Sequence, residues 1–518
     1  MAQFVANPRV SFSIVANDNR VGPDDQRVLI VGQKTSTGTA TAGELTVDVP
    51  RTDADINTLF GADSHIAMVA RAYRSVNTVT NVDAIALDDN GSGTAATSKI
   101  AFTGTATKDG TLEIAVVSDE NHRYQVDVLT GDTAAGIVTK ILALVTADRY
   151  VPFTAANGGS GHLGDVMFTA ANKGLHANDW LLRCTGYVAG ISYTLTGWAS
   201  GATNPSLTAV FDPIQTIRYQ TVLWPALYDA TPLKSLLNAR KNVDNNIMDG
   251  MAFQYRNVSF GTVKSAALAL NSSEICLITN EPTSNANWIG PHIPEAPDVI
   301  AAKVAAALDL RLEPDVTIST VVATNAPNDQ FGGIHTNSLP AFNTPLIGVG
   351  MPQKGSGYTL PEQVELENAG VSLVGVNRAW NEVITGVMVT TWQNDSAGNP
   401  DNTWKYLEWR RTHGAIREYF QRNCQKTFRQ MRLTTGVAVA GYAMADEHAV
   451  RSFCKLLFIE LSQVALTVAG LEARTFFERN LSVVLVPNSR QVKIAAKVPM
   501  VSQLGQITGS IEYTFETA

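Results

Sequence analysis

The stretch Gln506-Ile507-Thr508-Gly509-Ser510-Ile511-Glu512-Tyr513-Thr514-Phe515 alternates apolar and polar residues. Ile507, Ile511, Tyr513 and Phe515 point one way; Thr508, Ser510, Glu512 and Thr514 point the other, with the two-residue period of a strand. Val10, Phe12 and Ile14, separated by Ser11 and Ser13, repeat the pattern over a shorter span. A terminal strand carries an edge that something must cover. On the pattern alone, pairing inside the same subunit is the simpler outcome. The alternative is a neighbouring copy of the same chain.

Upstream of this segment, the sequence predicts a long helix opening near Trp404. Ile416, Phe420, Cys424, Thr427 and Met431 fall on one narrow arc, with Arg411, Arg422, Lys426 and Arg429 opposite. That basic face reads as a solvated face, partly neutralised by Glu408 with Arg411 and Glu418 with Arg422. The sharper alternative is a positive surface that docks on an acidic partner. A second helix starts at Asp446, an N-cap, and runs to about Gly470. Val450, Phe453, Leu457, Leu461, Val464 and Val468 form its apolar stripe.

With 518 residues the chain holds several domains. A net charge of -8 argues against wholesale nucleic-acid binding. The longest apolar candidate, around Leu456 to Leu471, is broken by Glu460 and Gln463, so no membrane insertion is expected. Met1-Ala2-Gln3-Phe4 shows no secretory pattern. Cys184, Cys276, Cys424 and Cys454 are widely spaced and read as reduced, buried cysteines of a chain made in a cytoplasm.

A strand at Arg27 to Gly32 is followed by a helix around Asp55 to Asn77 and a strand at Val82 to Leu87. Asn90 to Gly93 marks a boundary. From about Ala95 to Pro205 the texture is β-rich, with strands Leu112 to Val117 and Tyr124 to Leu129, a helix around Ala134 to Thr146, and a Gly158-Gly159-Ser160-Gly161 loop. Then strands Thr221 to Trp224, Met251 to Tyr255 and Ile275 to Thr279 alternate with helices near Pro232 to Asn246, Val263 to Leu270 and Pro297 to Leu312. Such alternation predicts a layered α/β domain. Strand-like segments at Val371 to Val376 and Glu382 to Thr391 lead to the C-terminal helices. The expected fold class is therefore α/β and α+β multidomain: a layered α/β core, an inserted β-rich domain, and a C-terminal two-helix domain with a β-sheet and extended terminal arms.

Catalytic signatures are sparse. Gly32-Gln33-Lys34-Thr35 follows an apolar strand, but Gln33 and Val28 stand where a phosphate-binding loop needs glycines. Ala84 to Asp89, an apolar strand ending in two acids, reads as a strand and a polar turn. No His-Glu-x-x-His, Cys-x-x-Cys or Gly-x-Ser-x-Gly pattern occurs. His413 and His448 read as surface or capping residues, Asp395 and Asp401 as turn residues. No catalytic residue, metal site or cofactor is expected. An enzyme built on Val210 to Leu312 would instead show a deep pocket with convergent polar groups.

Several segments in the same order resemble tail sheath proteins of Mu-type contractile phages. They are Thr58-Leu59-Phe60-Gly61-Ala62-Asp63-Ser64 with Val82-Asp83-Ala84-Ile85-Ala86-Leu87; Phe102-Thr103-Gly104-Thr105-Ala106-Thr107; Ala170-Ala171-Asn172-Lys173-Gly174 with Asn178-Asp179; Trp224-Pro225-Ala226-Leu227-Tyr228-Asp229; and Thr403-Trp404-Lys405-Tyr406-Leu407 with Arg410-Arg411-Thr412. The resemblance implies a structural, non-enzymatic virion protein, made and assembled in a host cytoplasm. Six-membered rings would stack around a tail tube, with baseplate and tail terminator proteins as further partners and no direct nucleic acid. It implies an N-terminal arm at 1–25, a core domain at 26–92 and 208–400, an inserted outer domain at 93–207, a tube-facing domain at 401–503 and a C-terminal arm at 504–518. The arms, through Val10, Phe12 and Ile14 and through Ile507, Ile511, Tyr513 and Phe515, would add to neighbours' receiving strands at Val483, Leu485, Val492 and Ile494. Arg411, Arg422, Lys426 and Arg429 become candidate tube contacts. A sheath of a related contractile injection device shares these features.

Overall fold

The computed structural model describes residues 27–241, 249–280, 282–311, 344–352, 357–377, 382–437, 443–463, 467–486 and 492–500. The arm residues Val10, Phe12, Ile14, Ile507, Ile511, Tyr513 and Phe515 lie outside them.

The core is an eight-stranded sheet in the order Glu382–Thr385, Val371–Asn377, Ile275–Thr279, Met251–Arg256, Thr221–Leu223, Arg27–Gln33, Asn81–Leu87, Leu45–Thr46. Six strands run parallel, with an antiparallel strand at each edge. Parallel strands need both faces covered, and alternate residues go to opposite layers. Val28 and Ile30 join a cluster with the helices His65–Val76 and Pro297–Arg311. Leu29 and Val31 join Val210, Ile214, Leu233 and Leu237 of the helices Thr208–Thr216 and Thr231–Arg240. Helix Pro297–Arg311 is alanine-rich and buried from Pro297 to Asp309, its Asp298, Lys303 and Asp309 included.

The helix expected over Asp55 to Asn77 is two helices, Asp53–Phe60 and His65–Val76. Gly61 adopts φ +89, a left-handed backbone that ends the first, and the Ser64 side chain accepts from the Ala67 amide to cap the second. The strand expected over Glu382 to Thr391 stops at Thr385.

The inserted region forms two antiparallel sheets. One orders Ile191–Ala199, Ala95–Gly104, Asp165–Lys173 and Phe153–Asn157; the other ends in Leu182–Gly186, Gly110–Val116 and Ser118–Val128. The second sheet also takes up a hairpin, Pro282–Asn285 with Trp288–Pro291, from the segment assigned to the core by sequence. Trp288 pairs with Arg183 there, because a short hairpin edge finds its partner through space rather than along the chain. Inserted and core regions share one apolar cluster, from Val28 and Phe253 through to Ile114 and Val126.

Among its described residues, the C-terminal region holds three helices, Leu407–Phe428, Glu447–Gln463 and Leu471–Asn480, and a hairpin of Ser482–Leu485 with Val492–Ala495. The expectation of one second helix running to Gly470 is corrected: Gly470, at φ +111, instead precedes a third helix. Asp446 does cap the second, its carboxylate accepting from the Ala449 amide. Cys454, Phe458, Phe477 and Val483 form the centre of this region, with Phe458 and Phe477 stacked at 4.5 Å.

Candidate assembly surface and its anchorage

The long helix Leu407–Phe428 has two jobs along its length. Its C-terminal half presents Phe420, Cys424 and Phe428 to the C-terminal cluster. Its N-terminal half enters the core, where Gly414 lets the backbone approach Asp249: a Cβ there would lie 3.2 Å from that of Asp249. Arg410 reaches Asp249 at 2.7 Å and Glu274 at 3.5 Å, and Arg417 reaches Asp249 at 3.3 Å. Lys241 holds Glu274 at 2.7 Å. Burial works to raise the Asp249 and Glu274 carboxyls, yet Arg410 and its companion cations outweigh it and hold both below the usual carboxylate range. Glu418 pairs with Arg218 rather than Arg422, and Glu408 is buried.

Arg411 turns inward. Its guanidinium donates to Asp309 at 2.6 Å and to the Thr221 hydroxyl at 2.7 Å, over the Phe253 ring. Asp309, 1% exposed, also accepts from the Tyr73 hydroxyl at 2.9 Å. Core helices, a core strand and the C-terminal helix thus meet at one carboxylate. As a surface contact, Arg411 is therefore corrected to an internal anchor. Arg422 is half-buried, while Lys426 and Arg429 are exposed.

His413, expected as a surface or capping residue, is half-buried, with its ring centroid 4.6 Å from that of Trp404. Burial and then Arg410 push its imidazole down to about 4. Together with Asn238, Lys241, Ser273, Arg410 and Arg417 these two rings line a cavity of about 420 Å³. Its cations are already engaged by Asp249 and Glu274. His448 is exposed, and Asp395 and Asp401 hold turns through the Asn399 and Thr403 amides.

The crevice beyond the strand ends, where a doubly wound sheet offers its ligand site, is occupied by side chains. The Tyr228 hydroxyl donates to Gln33 Oε1 at 2.8 Å, and Gln33 Nε2 donates to Asp89 and to the Lys173 carbonyl, each at 2.6 Å. Asn172 donates to Asp89 and to the Lys34 carbonyl while accepting from the His65 amide. Lys34 lies 3.3 Å from Asp88. The loop that suggested phosphate binding thus fastens the inserted domain. Among the described residues, no group of three or more His, Cys, Asp or Glu is arranged to hold a metal. No described helix is long and apolar enough to cross a membrane.

The C-terminal region exposes many large apolar residues. Met431, Leu433, Val437, Leu456, Val468, Leu471, Phe476, Val484 and Ile494 are exposed, nine of the twenty exposed large apolar residues described. Concentrated exposure of this kind marks an interaction site. In the hairpin, Val483 pairs with Ile494 and Leu485 with Val492; Val483 and Val492 pack on the C-terminal cluster, whereas Ile494 is exposed. Sequence reading missed Leu471 and Phe476 because no element was expected between the end of the second helix near Gly470 and the receiving strand at Val483. It missed Arg410 and Arg417 because charge on a helix gives no hint of which acid will face it.

The chain is similar, over most of its length, to a tail sheath protein of the Mu type, the resemblance expected from its segments. It is 25% identical over 445 residues to the Mu-like prophage FluMu tail sheath protein of Haemophilus influenzae, across 84% of this chain and 82% of that protein. A sheath tail protein from Listeria innocua aligns at 10% identity with a TM-score of 0.48, over 93% of each chain. One from Desulfitobacterium hafniense aligns at 10% with a TM-score of 0.45, over 92% of this chain and 97% of that one. No protein-family model matches.

Proposed function

We propose that this chain is the structural subunit of a contractile phage-type tail sheath. Subunits polymerise as stacked six-membered rings around a tail tube and rearrange to shorten, driving the tube through a host envelope. The similarity to a Mu-like prophage tail sheath protein, over 84% of this chain, carries this reading. The exposed apolar surface of the C-terminal region supports it physically, since such area is stabilised only when a partner covers it. The terminal arms add strands to the hairpin of a neighbour, a head-to-tail contact that extends rather than closes. The work comes from interface energy stored at assembly, so no nucleotide is used. Lys426 and Arg429 remain candidates for the tube contact, with Arg422 at their margin. Tube, baseplate and terminator proteins are the partners, and the assembled particle is the site of action.

Negative-stain electron microscopy of the purified chain, with and without its cognate tube, tests the reading. Hollow tubes or stacked rings are expected from the full chain, and folded but unassembled protein from a chain lacking residues 505–518. Normal tubes from the truncated chain would rule out the arm mechanism. Failure of the full chain to assemble even on a tube would rule out the sheath assignment.

A further inference from the structure

We propose that Cys424 and Cys454 are a covalent modification site, joined as a disulfide that staples the long helix to the second helix by exchange with a small oxidised disulfide such as oxidised glutathione. This goes beyond the sheath reading and does not depend on it. The two helices run antiparallel, and two contacts set their register. The Tyr419 hydroxyl donates to Glu460 Oε2 at 2.7 Å. The Phe428 and Phe453 rings meet edge to face with centroids 5.3 Å apart. Numbers rise along one helix as they fall along the other, so these contacts bracket Cys424 opposite Cys454. Both are free thiols, and both pack in the same C-terminal apolar cluster.

The pair is asymmetric. Cys454 is 0% exposed within the C-terminal cluster, whereas Cys424 is only partly buried. The contact with Cys454 holds the Cys424 thiol below its usual range, while the contact with Cys424 and then burial push Cys454 up. Cys424 is thus the entry sulfur and Cys454 the resolving one. The Cys424 thiolate attacks one sulfur of oxidised glutathione, breaking its S–S bond and releasing a glutathione thiolate. Cys454 passes its proton to a thiolate, attacks Cys424 Sγ in the mixed disulfide and expels the second glutathione. Two protein thiols are oxidised and one glutathione disulfide is reduced to two thiols. Cys184 and Cys276 are buried elsewhere, each pushed up to about 12 by burial, and stay inert.

The test is to treat the full-length chain with oxidised glutathione, denature it, alkylate it and map peptides by mass spectrometry. Two of the four thiols should resist alkylation, with a cross-linked 424–454 peptide and monomer mobility on a non-reducing gel. Cys454→Ser should retain glutathione on Cys424, and Cys424→Ser should leave Cys454 unmodified. Four alkylatable thiols after oxidation would overturn the proposal. So would a wild-type mixed disulfide that never resolves, or a glutathione adduct on Cys454 in Cys424→Ser. The wild-type arm decides even where a variant folds poorly.

Discussion

Replacing Asp309 by Asn tests the anchorage of the C-terminal region most directly. Asn keeps the shape and can still accept from one hydroxyl, but it removes the charge facing Arg411 at 2.6 Å. Taking one partner from a buried ion pair costs about 3–5 kcal/mol, because the other charge stays desolvated. Arg411 keeps the Thr221 hydroxyl at 2.7 Å, and its side chain is 12% exposed, which gives it some access to water. The lower end therefore applies, about 3 kcal/mol, or roughly two decades in the undocking equilibrium. Hydrogen exchange of the long helix reads that equilibrium locally. Protection of the turns around Arg410 to Arg417 should fall about 100-fold, while the C-terminal half, held by Phe420 and Phe428, changes less. Arg411→Met should cost a similar amount, and the double variant should show a coupling of about 2 kcal/mol. Unchanged protection in Asp309→Asn, or strictly additive effects, would refute the claim that this pair anchors the helix.

Two further outcomes follow from local geometry. Gly61→Ala should destabilise the chain by about 2 kcal/mol in urea unfolding, because Ala is strained at positive φ and its Cβ would lie 2.0 Å from the Thr35 hydroxyl; an unchanged midpoint would remove Gly61 as the helix break. Glu295, 0% exposed, has a carboxyl pushed by burial up to about 7. A raised native pKa stabilises the fold fully below the ordinary carboxylate value, and that contribution is lost as pH rises to about 7. Glu295→Gln mimics the protonated form, so it should leave thermal stability unchanged near pH 4 and raise it by up to about 3 kcal/mol at pH 8; a pH-independent difference would contradict this.

Periodicity made much of the fold legible. The core strands, Ala134–Ala147 and the Asp446 cap depend on neighbours in sequence, where spacing carries the information. The resemblance segments also have physical roles. Asn172 fastens the inserted region to Lys34 and Asp89, and Ala226, beside Trp224, donates its amide to Asp298 at 2.7 Å. The Gly61 break was less legible, since one glycine within an apolar helical pattern is readily tolerated.

By itself, then, the sequence determined the alternating strands and helices of the core and the β-rich insertion, because each follows from residue type and short-range spacing. Only the tertiary structure decided what long-range partners these elements take. It turned Arg411 to Asp309, set Arg410 and Arg417 on Asp249, brought the 282–291 hairpin to the inserted sheet and placed Cys424 opposite Cys454. These pairings join residues far apart in the chain. A charge or a thiol is free or engaged only according to what the fold sets across from it, and that is a property of the packed whole.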